Sequence, residues 1–142
     1  MRSPKENKVF VAADYEEYPE DQRQIRADYD NAVRYSDYIV GEIIKECSDK
    51  ESVVIFVPDH SLDIFETDPT YAGHATPGRE GSIQYGTAIP MTVYCSAKYR
   101  DRFPDKFEHL KAIKDEPFNT ENLMYLIMDV CNVSLAENES AE

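Results

Sequence analysis

Asp59 and His60 are the adjacent pair best suited to chemistry in this chain. A carboxylate oxygen and an imidazole nitrogen are both ordinary zinc ligands, and a catalytic zinc uses three protein ligands and leaves one position open. Taken alone, an Asp-His pair reads more readily as a capped loop than as a metal site. Its setting favours chemistry. It follows Val53-Val54-Ile55-Phe56-Val57 and Pro58, an unbroken apolar run expected to form a strand buried on both faces, as in a parallel sheet. Ligands gather beyond the carboxyl ends of such strands. His74 stands in the loop that leaves this edge, between Gly73 and Ala75, where small neighbours let backbone and ligand approach closely. Asp63, Glu66 and Asp68 either offer further oxygens or are plain solvated acids. Thr67, Thr70 and Thr76 carry hydroxyls near the same edge, but none has the flanking pattern of an activated nucleophile. Neither a GxSxG elbow nor a phosphate-binding glycine loop occurs. His109, between Glu108 and Leu110, reads as a surface residue.

The elements that must position this edge are legible on either side of it. A long helix is expected to start near Pro19 to Asp21, where proline and acidic residues suit a first turn. Ile25, Tyr29, Val33, Ser36, Val40, Ile43 or Ile44, and Cys47 recur at three-and-four spacing and predict its buried face. Arg23, Arg26, Arg34, Glu42, Lys45 and Glu46 fall mostly on the opposite side. Tyr29, Asp30, Asn31, Tyr35 and Asp37 form a polar patch whose tyrosines read as core with a wet tip. Helix, short loop and strand make half of a parallel α/β unit. Val9 to Ala12 is either a short strand or an extended lead-in. Residues 61–88 have no regular pattern and hold Gly73, Gly78, Gly81 and Gly86, and a connection of that length is functional or disordered. Ile89 to Cys95 predicts a second strand, Ser96 to Phe103 a short basic helical turn, and Pro104 the start of another loop. A final helix is expected from a cap at Asn119 or Thr120, buried through Leu123, Ile127, Val130 and Cys131.

Composition narrows the class. The chain has 142 residues, 42% hydrophobic and 30% charged, which fits one ordinary globular domain. A net charge of -13 opposes a nucleic-acid or anionic-membrane surface and favours bound cations. No apolar run reaches the ~20 residues of a membrane-spanning helix, and Met1 to Lys8 lacks the apolar segment of a signal peptide. Cys47, Cys95 and Cys131 are far apart, show no CxxC spacing, and read as small core hydrophobes.

The order of pieces is the more specific signal. Tyr29-Asp30-Asn31-Ala32-Val33-Arg34-Tyr35-Ser36-Asp37-Tyr38, a strand ending in Asp59-His60, then Gly73-His74, Ile89-Pro90-Met91 and Asn119-Thr120-Glu121-Asn122-Leu123 follow one another from about Ala13 to Val133. This set resembles the C-terminal part of the phosphoethanolamine transferases, in the alkaline phosphatase and sulfatase superfamily. The resemblance implies an α/β fold in which a partial parallel sheet is flanked by helices. Residues 1–18 would be an extended lead-in, 19–133 the C-terminal part of a sulfatase-like catalytic domain, and 134–142 an acidic tail. It further implies zinc as cofactor, Asp59 and His60 as metal ligands, and His74 as the histidine that serves the phosphoryl group or a second zinc. Phosphatidylethanolamine would be the donor and lipid A or core lipopolysaccharide the acceptor, at the periplasmic side of the inner membrane, with no nucleic-acid partner. Ser61 and Leu62 depart from the glycine and acid usual after the Asp-His pair, and serine adopts positive φ less cheaply than glycine. The family's threonine nucleophile, first acidic zinc ligand, upstream histidine and transmembrane helices all precede the matching part. The chain is therefore expected to carry one side of an active site and to be inactive alone. A sulfatase or phosphodiesterase of the same superfamily is the alternative enzyme. A non-catalytic domain that binds partners or itself through open strand edges is the alternative outside enzymes.

Overall fold

The computed structural model describes residues 8–74, 78 and 80–134. It is a mixed helix and sheet structure that separates into two compact units, 1–47 with 54–94, and 48–53 with 95–142. Thr76 lies outside the described residues.

In the first unit a 3-10 turn, Ala12–Tyr15, leads into helix α1, Glu20–Cys47. Glu20 and Asp21 occupy the first turn of α1 and Lys45 the last, the charge order that the helix dipole favours. The boundaries match the expectation, but the buried face does not. Gln22, Ala27 and Asn31 are buried, whereas Ile25, Val33 and Ile43 are 44%, 52% and 47% exposed. The reason is that polar partners claim the other side. Gln22 Nε2 donates to the Pro69 carbonyl at 2.7 Å. Asn31 Oδ1 accepts from the Val9 and Phe10 amides at 2.7 and 3.0 Å, while its Nδ2 donates to the Phe10 carbonyl at 2.8 Å. The lead-in is thus extended chain pinned by one asparagine, and the Tyr-Asp-Asn patch is structural at its third residue.

Strand β1, Val53–Phe56, is half-buried along its length rather than buried on both faces. It pairs across a crossover with β4, Thr92–Cys95. Between them the loop has more structure than its sequence suggested. Strands β2, Asp63–Ile64, and β3, Ala72–Gly73, form an antiparallel ribbon in the register Asp63 to Gly73 and Ile64 to Ala72. Helix α2, Ser82–Thr87, follows Gly81, whose φ of 77° is the left-handed conformation that glycine adopts without strain.

The second unit is built on Ser96. Its hydroxyl accepts from the Tyr99 amide at 3.2 Å as the N-cap of α3, Ala97–Arg102, and from the Ser52 amide at 3.1 Å. Pro104 does not open a loop. It sits in the first turn of α4, Pro104–Ala112, where its missing amide donor is not needed. Asn119 caps a short 3-10 turn, accepting from the Glu121 amide at 3.0 Å, and α5 runs Leu123–Val130. Val130 is buried as expected, while Ile127 and Cys131 are exposed, so a third of the cysteine reading also fails. Cys95 is buried, and that burial pushes its thiol pKa up, which fits an inert core position. Tyr99 is buried, tilts against Phe103 at 5.0 Å between ring centroids, and donates its hydroxyl to the Val130 carbonyl at 2.9 Å. Tyr99→Phe keeps the packing and removes that bond. Thermal melting should show a loss of about 1 kcal/mol, roughly 2–4 °C in Tm. An unchanged Tm would show that the bond contributes nothing net.

Candidate functional site

The carboxyl end of β1 presents Asp59 and His60 to solvent, with side chains 91% and 45% exposed. Asp59 Oδ1 accepts from the His60 amide at 3.0 Å, which turns the carboxylate back over the imidazole. His60 Nδ1 lies 3.0 Å from the Ser61 carbonyl. A carbonyl oxygen only accepts, so Nδ1 carries the hydrogen and the neutral ring keeps its lone pair on Nε2. That nitrogen is 3.8 Å from Asp59 Oδ2. A tetrahedral zinc with ligands near 2.0–2.1 Å separates its donor atoms by roughly 3.3 Å. The donor set therefore fits half of a zinc site after a small closure, with the outer hydrogen bond that ligating histidines usually make.

His74 meets His60 edge to face, with ring centroids 4.4 Å apart. The β2–β3 ribbon produces this meeting, because it folds the chain back so that residues fourteen apart in sequence become neighbours. Gly73 permits it for a reason different from ligand access. The Tyr71 ring folds over Gly73 so that its hydroxyl donates to the His74 carbonyl at 2.7 Å. A Cβ on Gly73 would lie 2.8 Å from that hydroxyl oxygen.

The other sequence candidates have structural roles. Asp63 is fully buried and accepts from the Glu66 amide at 3.0 Å, the Thr67 amide at 3.2 Å and the Thr67 hydroxyl. Glu66 accepts from the Ile64 amide. Asp68 Oδ1 accepts from the Thr70 amide and hydroxyl at 2.8 and 2.7 Å. The hydroxyls of Thr67 and Thr70 are both donated to neighbouring carboxylates and are not placed as nucleophiles. His109 is exposed on α4, as expected. Among the described residues no three His, Cys, Asp or Glu side chains are grouped to hold a metal ion. Ser61 takes no positive φ, so the turn after His60 forms without glycine; the left-handed residue is Phe65, at 67°.

A cavity of about 310 Å³ adjoins this edge, and Ser61 and Leu62, the next residues after His60, line it. Its other walls include Tyr15, Arg26, Asp30 and Tyr85. Sequence reasoning placed Arg26 in solvent, yet its side chain is only 15% exposed. The guanidinium lies 3.9 Å from the Tyr18 ring centroid and 3.8 Å from Glu66 Oε1. Its Nε is buried and, among the described residues, has no hydrogen-bond partner. Tyr15 donates to Asp30, and burial followed by that bond and the Asp30 charge pushes the phenol pKa up to about 12. The polar row Gln22, Arg26, Asp30 at i, i+4, i+8 was the available signal. Such a row carries little weight in a sequence, because charged residues on a helix usually face water.

Comparison with known proteins gives a consistent answer. The sulfatase family model matches residues 3–133. Phosphoethanolamine transferase EptC of Escherichia coli O18:K1:H7 is 26% identical over 111 residues, 75% of this chain and 18% of that protein. The Kdo(2)-lipid A phosphoethanolamine 7''-transferase of Escherichia coli K12 is 34% identical over 88 residues, 62% of this chain and 15% of that protein. This chain thus spans less than a fifth of the length of these relatives. The soluble domain of lipooligosaccharide phosphoethanolamine transferase A from Neisseria meningitidis superposes with a TM-score of 0.75 at 21% identity, over 96% of this chain and 42% of that one. That likeness establishes the α/β fold, and with the family model matched along nearly its whole length, the chain belongs to the sulfatase family.

Proposed function

We propose that this chain forms the C-terminal part of the catalytic domain of a zinc-dependent phosphoethanolamine transferase. The enzyme would move phosphoethanolamine from phosphatidylethanolamine to lipid A or core lipopolysaccharide, at the periplasmic face of the inner membrane. The observation that carries the reading is the edge of β1, where Asp59 and the free Nε2 of His60 converge and His74 packs against the same imidazole. The names of the relatives supply the transferred group and the acceptor class. No described helix is long and apolar enough to cross a membrane.

In this reading Asp59 and His60 hold the ion. When bound, zinc supplies Lewis acidity at a phosphoryl oxygen and makes a nearby hydroxyl more acidic. The Ser61 carbonyl fixes the His60 tautomer and ring orientation. His74, packed against His60, would donate a hydrogen bond to a phosphoryl oxygen. Among the described residues no third ligand is grouped with this pair, so the chain alone is expected to be inactive.

Calorimetric titration of the purified chain with Zn²⁺ tests this. Affinity follows ligand count and a preformed geometry. We expect weak binding that is lost in His60→Ala and in Asp59→Ala, and no phosphoethanolamine transfer to lipid A. Tight stoichiometric binding lost in His60→Ala would show that the chain closes a site by itself. Zinc binding indifferent to both substitutions would sink the ligand assignment.

A further inference from the structure

We infer that Arg26 is a positioning residue for His74: from α1 it braces, through Phe65 and Glu66, the short ribbon that sets the two imidazoles side by side. The inference rests on the transferase reading only for what those imidazoles do. The ribbon needs a brace. It has two residues per strand, Asp63–Ile64 against Ala72–Gly73, and an isolated two-stranded ribbon is marginal in water. It also turns through Phe65, whose φ of 67° is a conformation that a bulky side chain keeps only when its surroundings impose it. The Phe65 amide donates to the Tyr71 carbonyl at 3.0 Å, so this strained residue closes the end of the ladder. Relaxation of Phe65 would break that bond and loosen the adjoining pair, Ile64 with Ala72. His74 directly follows β3 and would then leave His60.

Arg26 supplies the constraint. Its guanidinium carbon lies 5.4 Å from the Phe65 ring centroid and 3.9 Å from that of Tyr18. The two rings share one cation, which ties the Phe65 side chain to the start of α1. The same cation stands 3.8 Å from Glu66 Oε1, while Glu66 Oε2 accepts from the Ile64 amide within the ribbon. With its side chain only 15% exposed, Arg26 has given up most of its water, and two ring faces and one carboxylate stand in for it. Two of those three partners are consecutive ribbon residues, Phe65 and Glu66. One turn earlier on the helix, Gln22 donates to the Pro69 carbonyl at the tip of the loop. The strained residue is therefore the point at which α1 grips the ribbon by charge.

The test follows the metal-free chain by NMR in EDTA. In the wild type, cross-peaks are expected from the Arg26 side chain to the Tyr18 and Phe65 rings, and between the His60 and His74 rings. Arg26→Met keeps the stem and removes the charge. It should speed hydrogen exchange at the Phe65 amide roughly tenfold and weaken the cross-peaks between the imidazoles, with exchange along residues 33–40 of α1 unchanged. Arg26→Lys keeps a cation and should recover most of both. Phe65→Leu should reproduce the Arg26→Met effect, and the double variant should do little more than either alone, because both remove one contact. A wild-type spectrum without cross-peaks from Arg26 to Phe65 would overturn the inference, whether or not any variant folds. So would imidazole cross-peaks that persist in Arg26→Met, which would leave Arg26 a general stabiliser, or additive effects of the two substitutions. Chelation keeps the zinc question apart, since either experiment can fail without the other.

Discussion

Asp63→Ala is expected to destabilise the protein by about 3–5 kcal/mol and to release the loop that carries His74. Asp63 is fully buried, and its carboxylate accepts the amides of Glu66 and Thr67 and the Thr67 hydroxyl. Alanine strands those donors without water to replace the lost partner. The same residue also pairs with Gly73 in the ribbon, so loosening it moves His74 away from His60. Urea unfolding measures the first effect, and loss of contacts between the two imidazoles by NMR measures the second. A loss below about 1 kcal/mol would show that the loop holds without the carboxylate.

The same carboxylate gives the fold an acid limit. Burial alone would raise its pKa, but the bonds from Thr67 and Glu66 outweigh that and hold it below the usual value. The folded pKa thus lies under the unfolded one, near 3.9. The stabilisation is complete above the unfolded value and is lost as pH falls through the folded value. Asp63→Ala should therefore flatten the acid limb of a stability profile as well as lower its plateau.

Asn31→Ala is expected to cost about 2–4 kcal/mol. One side chain accepts from two amides and donates to one carbonyl of the lead-in. Hydrogen exchange should show Val9 and Phe10 losing protection while the α1 interior beyond Gly41 keeps it. Asn31→Asp discriminates further. It retains the acceptor oxygen but turns the donor toward Phe10 into a second acceptor, so it should recover only part of the loss. Full recovery would mean that the bond to the Phe10 carbonyl contributes nothing.

The sequence disclosed the elements that depend on runs and punctuation. The span of α1, the two long strands and the Asn119 cap followed from apolar runs, proline and side-chain oxygens at starts. What escaped was partner choice. Three-and-four spacing marked Ile25, Tyr29, Val33, Ser36, Val40, Ile43 or Ile44, and Cys47 as a buried face. Of these, Ile25, Val33 and Ile43 are exposed while Tyr29, Val40, Ile44 and Cys47 are half-buried; periodicity reports only that a face exists. The hydrogen bonds to Pro69 and Phe10 drew the polar row of Gln22 and Asn31 inward instead. Pro104 failed for a similar reason, since proline stops a helix from within but starts one at its first turn. The β2–β3 ribbon is two residues per strand, too short for any alternation to appear. At the candidate site, the types of Asp59 and His60 and their place after an apolar run could be read from the sequence. The acids and threonines around them were not separable by composition, because whether a carboxylate faces water or closes a turn depends on which amides lie within 3 Å or so. Arg26 was hidden because its solvation is replaced by an aromatic face.

The ribbon has an evolutionary consequence. Its two-residue ladder fixes Gly73 against Asp63, and the Phe65 amide donates to the Tyr71 carbonyl at 3.0 Å, just beyond the ladder. Residues past the Asp63–Thr67 staple, at the tip of the loop, lie outside that clamp. The separation of the two histidines is therefore set by the clamp and is independent of how many residues the tip contains. Insertions or deletions near Pro69 would give up the bond that its carbonyl accepts from Gln22 on α1, but would leave the two-residue ladder that sets the imidazole pair in place.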